Sequence, residues 1–322
     1  MLSFLARRAV QSLIVLVLMS VAVYALIGLM PGDPIDLMIS ANPRLTAADA
    51  ERLRAIYGLD RPLIERYAAW AGDALRGDFG YSRSFARPVV EVLGPRLANT
   101  AALMLAAFAL ALCTGIPLGV IAAYHSDGLV DSAINLFSFV SVSVPTFWLA
   151  LVLILIFAVT LGWLPAGGLP PEGSGVLGAA RHLILPVCTL AFVEAGSYAR
   201  YTRAAMREAL RQDWIRTARA KGAGPVRVLV GHALRNAMIP VATVAALGFG
   251  GLFSGALITE TMFAYPGMGK LIFDAMMNND YNLALVGLLF ATLLTLLGNL
   301  GADLAYAALD PRISYGDLER DR

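Results

Sequence analysis

Gly267-Met-Gly269-Lys270 is the closest approach to a phosphate-binding loop in this sequence. Such a loop needs a glycine five residues before the one preceding lysine, and a Ser or Thr after the lysine to hold magnesium. Here those places hold Ala264 and Leu271, so no nucleotide site is expected. HExxH and GxSxG are absent, no paired aspartates sit within an apolar run, and His125, His182 and His232 are scattered without metal-ligand spacing. Cys113 and Cys188 fall in apolar runs and read as small buried side chains with no disulfide. Among the carboxylates only Glu194 lies deep in such a run, while Glu260 and Asp303 lie at the ends of two others, where water is near. A deep carboxylate either lines a polar path or is satisfied by a neighbouring helix, and the sequence leaves both open for Glu194. The chain reads as no enzyme, binding no cofactor of its own.

The strongest local signal is charge. Arg200 to Arg235 holds nine Arg or Lys residues against two acidic ones and lies between two long apolar runs, so it reads as a water-side loop. Within it, Gln212 to Gly222 has the look of a short helix ended by its glycine and turned by Gly224-Pro225. Trp214, Ile215 and Ala218 are spaced to share a face, leaving Arg216, Arg219 and Lys221 to meet acidic or carbonyl groups of a partner. The same helix could instead lie on anionic headgroups, at ~1 kcal/mol per basic residue.

These residues are carried by a membrane protein. The chain is 58% hydrophobic and 15% charged with a mean hydropathy of +0.69; a soluble domain is about 25% charged. A net charge of +2, with the basic residues gathered at apolar ends, does not suit nucleic acid. Crossing ~30 Å of hydrocarbon takes about 20 apolar helical residues. Six runs qualify: Ala9 to Met30, Leu97 to Tyr124, a stretch of Ser132 to Pro171 ending near Trp163, Leu183 to Tyr201, Ala237 to Thr259, and Asn282 to Ala302. The basic loop marks the cytoplasm, which puts Arg7-Arg8 and both termini inside. Pro31 to Arg96 then lies outside, with nine basic and nine acidic residues. The acidic Tyr124 to Asp131 loop gives the orientation no support.

The outer segment is punctuated for two small helices, one starting at Thr46-Ala-Ala-Asp49 and stopping at Gly58, the other from Pro62 through Ile64, Tyr67 and Trp70 toward Leu75. It reads as a docking or gating surface or as a lid. Pro117, Pro145 and Pro240 are candidate kinks, and Gly248, Gly250, Gly251 and Gly255 include a GxxxG spacing that suits close helix packing. No repeat relates the two halves, which disfavours an inverted-repeat carrier. Without a motor motif, energy for transport must come from an ion gradient or from another subunit.

Tyr198 to Met206, Asp213 to Gly222 and His232 to Pro240 together resemble the cytoplasmic loop of binding-protein-dependent ABC importer permeases of the dipeptide, oligopeptide and nickel branch. Further marks are Pro31-Gly-Asp-Pro34, Glu260 to Gly269, Asn299-Leu-Gly-Ala-Asp303 and Asp310-Pro-Arg312, which extend the likeness over nearly the whole chain and resemble the first of two permease subunits. Against the general permease motif aligned on Gly222, Ala218, Gly222 and Leu234 match, while Arg216, His232 and Arg235 stand where an acid, Ile and Pro belong.

The resemblance implies an all-α, six-span type I ABC importer permease fold in a bacterial inner membrane, with a small helical periplasmic insertion between spans one and two. It divides the chain into residues 1–95, 96–309 and 310–322: anchor plus periplasmic segment, permease domain, and cytoplasmic tail. It makes Asp213, Trp214, Ile215, Arg216, Thr217, Ala218, Arg219, Ala220, Lys221 and Gly222 a coupling helix for an ATPase. Partners would be a homologous second permease, two ABC ATPase subunits or domains that hold ATP and Mg²⁺, and a periplasmic or lipid-anchored solute-binding protein. Peptide, or else nickel or another small solute, would be passed, with Glu194, Glu260 and Asp303 as candidate path residues. A gradient-driven carrier or channel working alone, and a membrane scaffold without transport, are the other classes.

Overall fold

The computed structural model describes residues 2–28, 52, 61–171 and 173–309, without the side chains of residues 2–5, 254 and 302–309. Pro31-Gly-Asp-Pro34, the small helix expected from Thr46, and Asp310 with the tail lie outside the described residues. Among the described residues the chain is mostly helical, with turns between the helices and one short hairpin, β1 (Tyr81–Ser82) against β2 (Arg87–Pro88). The α-helices are α1 (Leu2–Gly28), α2 (Leu63–Leu75), α3 (Val89–Tyr124), α4 (Leu129–Ser143), α5 (Thr146–Leu153), α6 (Gly175–Leu210), α7 (Asp213–Ala220), α8 (Arg235–Met262), α9 (Met268–Met277) and α10 (Tyr281–Leu309). Two π-helical stretches, Ile154–Thr160 and Arg227–Leu234, continue α5 and lead into α8. Among the described residues five helices are long and apolar enough to cross a membrane, and α4 with α5 and its π-helical continuation, counted as one broken span, makes a sixth.

That sixth span is broken at Pro145, one of the candidate kinks, and far more sharply than a kink. Its two parts meet at 105°. The cause is local: the ring of Pro145 clashes with a helical residue before it, so Val144 is extended, at φ −79° and ψ 123°. The pair still progresses along α6 from end to end. Arg203 meets Asp131, a side chain at Gly196 would run into Ser141, and Arg181 Nη2 donates to the Trp163 carbonyl at 2.8 Å. Pro186 and Pro240 lie within α6 and α8 without ending them, and Pro117 lies within α3. A missing amide hydrogen bond is tolerable where neighbouring helices satisfy the freed carbonyl.

The described residues of the chain fall into two compact units. The first comprises residues 97–270 and 294–322 with the extreme N-terminus. Its core joins Leu103, Ala107, Ala150, Leu190, Leu252 and Phe263. One close helix contact lies outside the glycine run singled out in the sequence: a Cβ on Gly115 would lie 2.6 Å from the Ala195 carbonyl oxygen, and one on Gly119 2.5 Å from that of Ala199. Gly115 and Gly119 form the small-xxx-small pair that lets α3 and α6 touch backbone to backbone. Of the GxxxG pair Gly251 and Gly255, only Gly255 is in close helix contact, 3.2 Å from Leu190 Cδ2; among the described residues nothing lies within 4 Å of a Cβ at Gly251. Gly248 instead faces the Tyr198 hydroxyl and Glu194 Oε2, and Gly250 faces Asn299 Oδ1. Cys113 is exposed and Cys188 half-buried, not the buried pair expected.

In the second unit, residues 5–96 and 271–293, α2 forms as its punctuation suggests. Pro62 is its N-cap residue and Glu65 lies in its first turn. Tyr67 and Trp70 pack on Tyr24 of α1, and the Tyr67 and Ser20 hydroxyls are 2.8 Å apart. Asp280 ties the hairpin down, accepting from Ser82 Oγ at 2.6 Å and the Ser84 amide at 2.8 Å. Asn282 Nδ2 donates to the Phe79 and Tyr81 carbonyls.

Candidate functional site

The basic segment is far less of a loop than its charge suggested. α6 runs on through Arg200, Arg203 and Arg207, two residues turn the chain into α7, and after Gly224 the chain is helical again. Three turns of basic helix thus stand beyond the apolar part of α6, carrying α7 at their end. α7 is short for an isolated helix, and its termini compensate. Asp213 in the first turn and Arg219 in the last complement its dipole. Its C-terminus closes as a Schellman turn: the Gly222 amide donates to the Arg219 carbonyl at 2.9 Å and the Ala223 amide to Ala218 at 3.1 Å. The turn needs Gly222 at φ +83°, with no side-chain obstacle near it.

One residue seats this helix. Ile215 is 1% exposed and packs with Met206, Ala209, Val228, Ala233 and Ala237. Trp214, expected on the same face, is turned out at 38% exposure. Adjacent helical residues differ by about 100° in direction, so when Ile215 points home Trp214 cannot. Ala218 is half-buried below Ile215, while Asp213, Arg216, Thr217, Arg219, Ala220, Lys221 and Gly222 are exposed. Arg216 reaches Asp213 at 3.7 Å, an exposed pair of little energetic weight. The chain therefore spends one apolar residue on holding α7 and leaves Trp214 and the cations outward.

A second contact that sequence reasoning missed holds the stem. Arg203 Nε and Nη2 donate to the two oxygens of Asp131 at 2.5 and 2.6 Å, a bidentate fork. Asp131 is 2% exposed and also accepts from Asn135 Nδ2 and the Asp127 amide, each at 2.9 Å. One turn along, Arg207 approaches Asp127 at 3.4 Å. The acidic turn that gave the orientation no support is thus neutralised by arginines beside it. Matching four-residue spacings, Asp127 with Asp131 and Arg203 with Arg207, were the available signal.

The three candidate carboxylates fare differently. Glu194 is half-buried within α6, with its Oε2 and the buried Tyr198 hydroxyl both against Gly248. Glu260 is not near water but 0% exposed. It accepts from Thr100 Oγ1 at 2.6 Å and from the amides of Gly269 and Lys270 at 2.7 and 3.1 Å. Those amides open α9, so the phosphate-loop look-alike is a helix N-terminus whose anion is the chain's own carboxylate. Gly267 is small because a Cβ there would collide with that carboxylate. Asp303 falls in α10, its side chain undescribed. Among the described residues no three His, Cys, Asp or Glu side chains gather as metal ligands.

Several membrane-length helices, one span broken at a proline, and a short basic helix carried at the end of α6 are those of a multi-pass membrane protein. Binding-protein-dependent transport system inner membrane component matches residues 115–315, and its N-terminal companion, binding-prot-dependent transport system membrane comp, N-term, matches residues 1–104. The chain belongs to this family of transport permeases. It is 38% identical over 318 residues to the oligopeptide transport system permease protein AppB of Bacillus subtilis (strain 168), covering 98% of this chain and all (100%) of that one. It is 39% identical over 312 residues to the probable peptide ABC transporter permease protein y4tP of Sinorhizobium fredii (strain NBRC 101917 / NGR234), covering 97% of this chain and 99% of that one. Its fold is similar to that of the MetNI methionine ABC transporter in inward-facing conformations, with TM-score 0.53 and 18% identity, over 66% of this chain and 93% of that one. It is also similar to an amino acid ABC transporter crystallised with histidines, with TM-score 0.53 and 14% identity, over 68% and 94%. The all-α type I importer permease fold follows.

Proposed function

We propose that this chain is one of two permease subunits of an ATP-driven importer and passes peptides. A homologous second permease, two ATPase subunits or domains holding ATP and Mg²⁺, and a periplasmic or lipid-anchored binding protein complete the assembly. Peptide as solute is supported by full-length likeness to relatives named as oligopeptide and peptide permeases. In this reading both termini are cytoplasmic, residues 1–95 form the anchor and outer segment, 96–309 the permease domain and 310–322 the tail.

The observation that carries the reading is the division of labour in α7: Ile215 is committed to the chain's own core while Trp214, Arg216, Arg219 and Lys221 stay outward. A helix fixed to its own body and exposed on its far side suits a groove in an ATPase, whose closure then moves α6 and α8 together. Of the candidate path carboxylates we retain Glu194. Glu260 is engaged in capping, and Asp303 is kept only by its position near the end of a span.

The test is reconstitution of the full assembly in vesicles. ATP-dependent peptide uptake and binding-protein-stimulated hydrolysis should both be lost on deleting Asp213 to Gly222, and Arg216→Cys should cross-link to the ATPase. Peptide uptake by the purified chain alone, driven by an ion gradient without nucleotide, would sink the proposal. Glu194→Gln that left both uptake and hydrolysis unchanged would remove Glu194 from the path.

A further inference from the structure

Beside α7 lies a basic hollow that shares only Arg219 with the docking surface. It has a volume of about 550 Å³ and is walled by the turn after α3, the end of α6 and the segment following α7. Arg207, Arg211 and Arg219 line it with Asp127 as the one carboxylate, and Leu210, Val228 and Leu229 form an apolar wall. Asp127 serves Arg207. Among the described residues neither Arg211 nor Arg219 has a carboxylate partner. Tyr124, at the end of the apolar run of α3, sits at the rim and is exposed, as are Val226 and Val230 nearby.

Two unneutralised guanidiniums attract a phosphate or similar oxyanion, which they bind through paired donors. The apolar wall decides between sources. A free anion gains nothing from Leu210, Val228 and Leu229, whereas a phospholipid has a glycerol and first methylenes to lay against them. Tyr124, which ends the apolar run of α3, lines the hollow, so a headgroup at the end of that run is within reach of arginines that stand beyond the apolar part of α6. We propose that this hollow is a binding site for the phosphate headgroup of an anionic phospholipid from the cytoplasmic leaflet, held by Arg207, Arg211 and Arg219. The lipid is then part of the bearing on which α7 rests, since Arg219 belongs to both. The site does not depend on peptide being the solute; it needs only that this end of the bundle faces the cytoplasm.

The experiment is native mass spectrometry of the intact purified transporter, titrated with phosphatidylglycerol and, separately, phosphatidylcholine. Wild type should retain phosphatidylglycerol in preference. Arg207→Gln/Arg211→Gln should lower that retention by roughly tenfold to thirtyfold, and Arg207→Lys/Arg211→Lys should keep most of it. Arg200→Gln/Arg216→Gln, the same loss of charge outside the hollow, should leave it unchanged. Size-exclusion profiles confirm that each assembly is intact. Equal retention of the two lipids, or equal loss in the outside variant, overturns the proposal. Retention of inorganic phosphate without lipid, or a cross-link from Ala223→Cys to the ATPase that lipid does not compete with, overturns it in favour of a free anion or a protein occupant. Failure of the orientation is read separately: Arg211→Cys would then be labelled by an impermeant thiol reagent from the outer face.

Discussion

Removing Asp131 tests whether the stem of the basic helix is clamped as the geometry says. Its carboxylate takes four hydrogen bonds, two from Arg203 and one each from Asn135 and the Asp127 amide, at 2% exposure. In Asp131→Ala the guanidinium of Arg203, only 21% exposed, loses its partner, and the two neutral donors lose theirs. Breaking a buried pair by deleting one member costs about 3 to 5 kcal/mol. Arg203 keeps some access to water, so the lower end, about 3 kcal/mol, is expected. In Arg203→Met/Asp131→Ala the stranded charge is gone, and about half of the loss should return. The neighbouring pair is a built-in control: Asp127 is 78% exposed and its contact with Arg207 is 3.4 Å, so Asp127→Ala should cost under about 1 kcal/mol. The assay is thermal unfolding of the purified assembly in detergent, read for the single and double variants as a cycle. An Asp131→Ala loss below about 1 kcal/mol, or additive effects in the double variant, would refute the clamp.

Three further outcomes follow from particular contacts. Gly119→Ala puts a methyl 2.5 Å from the Ala199 carbonyl oxygen and should cost about 1 to 3 kcal/mol in thermal unfolding, whereas Gly251→Ala, with open space, should cost little. Gly222→Val forces a β-branched residue to φ +83° and should reduce ATP-dependent uptake more than Gly222→Asn, which tolerates that region. Glu260→Gln turns one acceptor into a donor facing Thr100 Oγ1 or the amides of Gly269 and Lys270, and should destabilise by about 2 kcal/mol in the same unfolding assay.

Much of this was legible because membrane proteins advertise their spans. Runs of about 20 apolar residues stand out, and the Schellman stop at Gly222 was visible because a glycine after a short charged helix has few other uses. What escaped was pairing. Asp131 and Arg203 are seventy-two positions apart, and each alone is an ordinary charge near a span end. Gly115 and Gly119 were overlooked beside the richer glycine run of α8, because composition does not say which glycines face a backbone. Glu260 misled in the opposite direction: a carboxylate at a span end looks wet until the amides of a following helix are found around it. Apolar periodicity likewise gave no warning about Trp214, because three residues spaced to share a wide face need not all be buried once Ile215 has taken the direction of the core.

The clamp and the anchor together bear on how α7 can act. Only Arg211 and Gln212 separate α6 from α7, and Ile215 is locked among residues of α6, the π-helical stretch and α8. A push on α7 therefore cannot be absorbed at its junctions without unpacking Ile215. It must pass into α6, where Arg203 and Arg207 hand it to the Asp127 to Asp131 turn and so to α4, the first half of the broken span. Val144 and Pro145 are the next place where the main chain leaves helical geometry. Packed helices move as bodies and bend at element ends, so motion entering at α7 is expected to emerge as a change in the angle at that break. Spin labels on α4 and α5 of the reconstituted assembly, read with and without trapped nucleotide, should change separation more than a pair placed within α6. Equal changes in both pairs would show that the bundle moves without using the break.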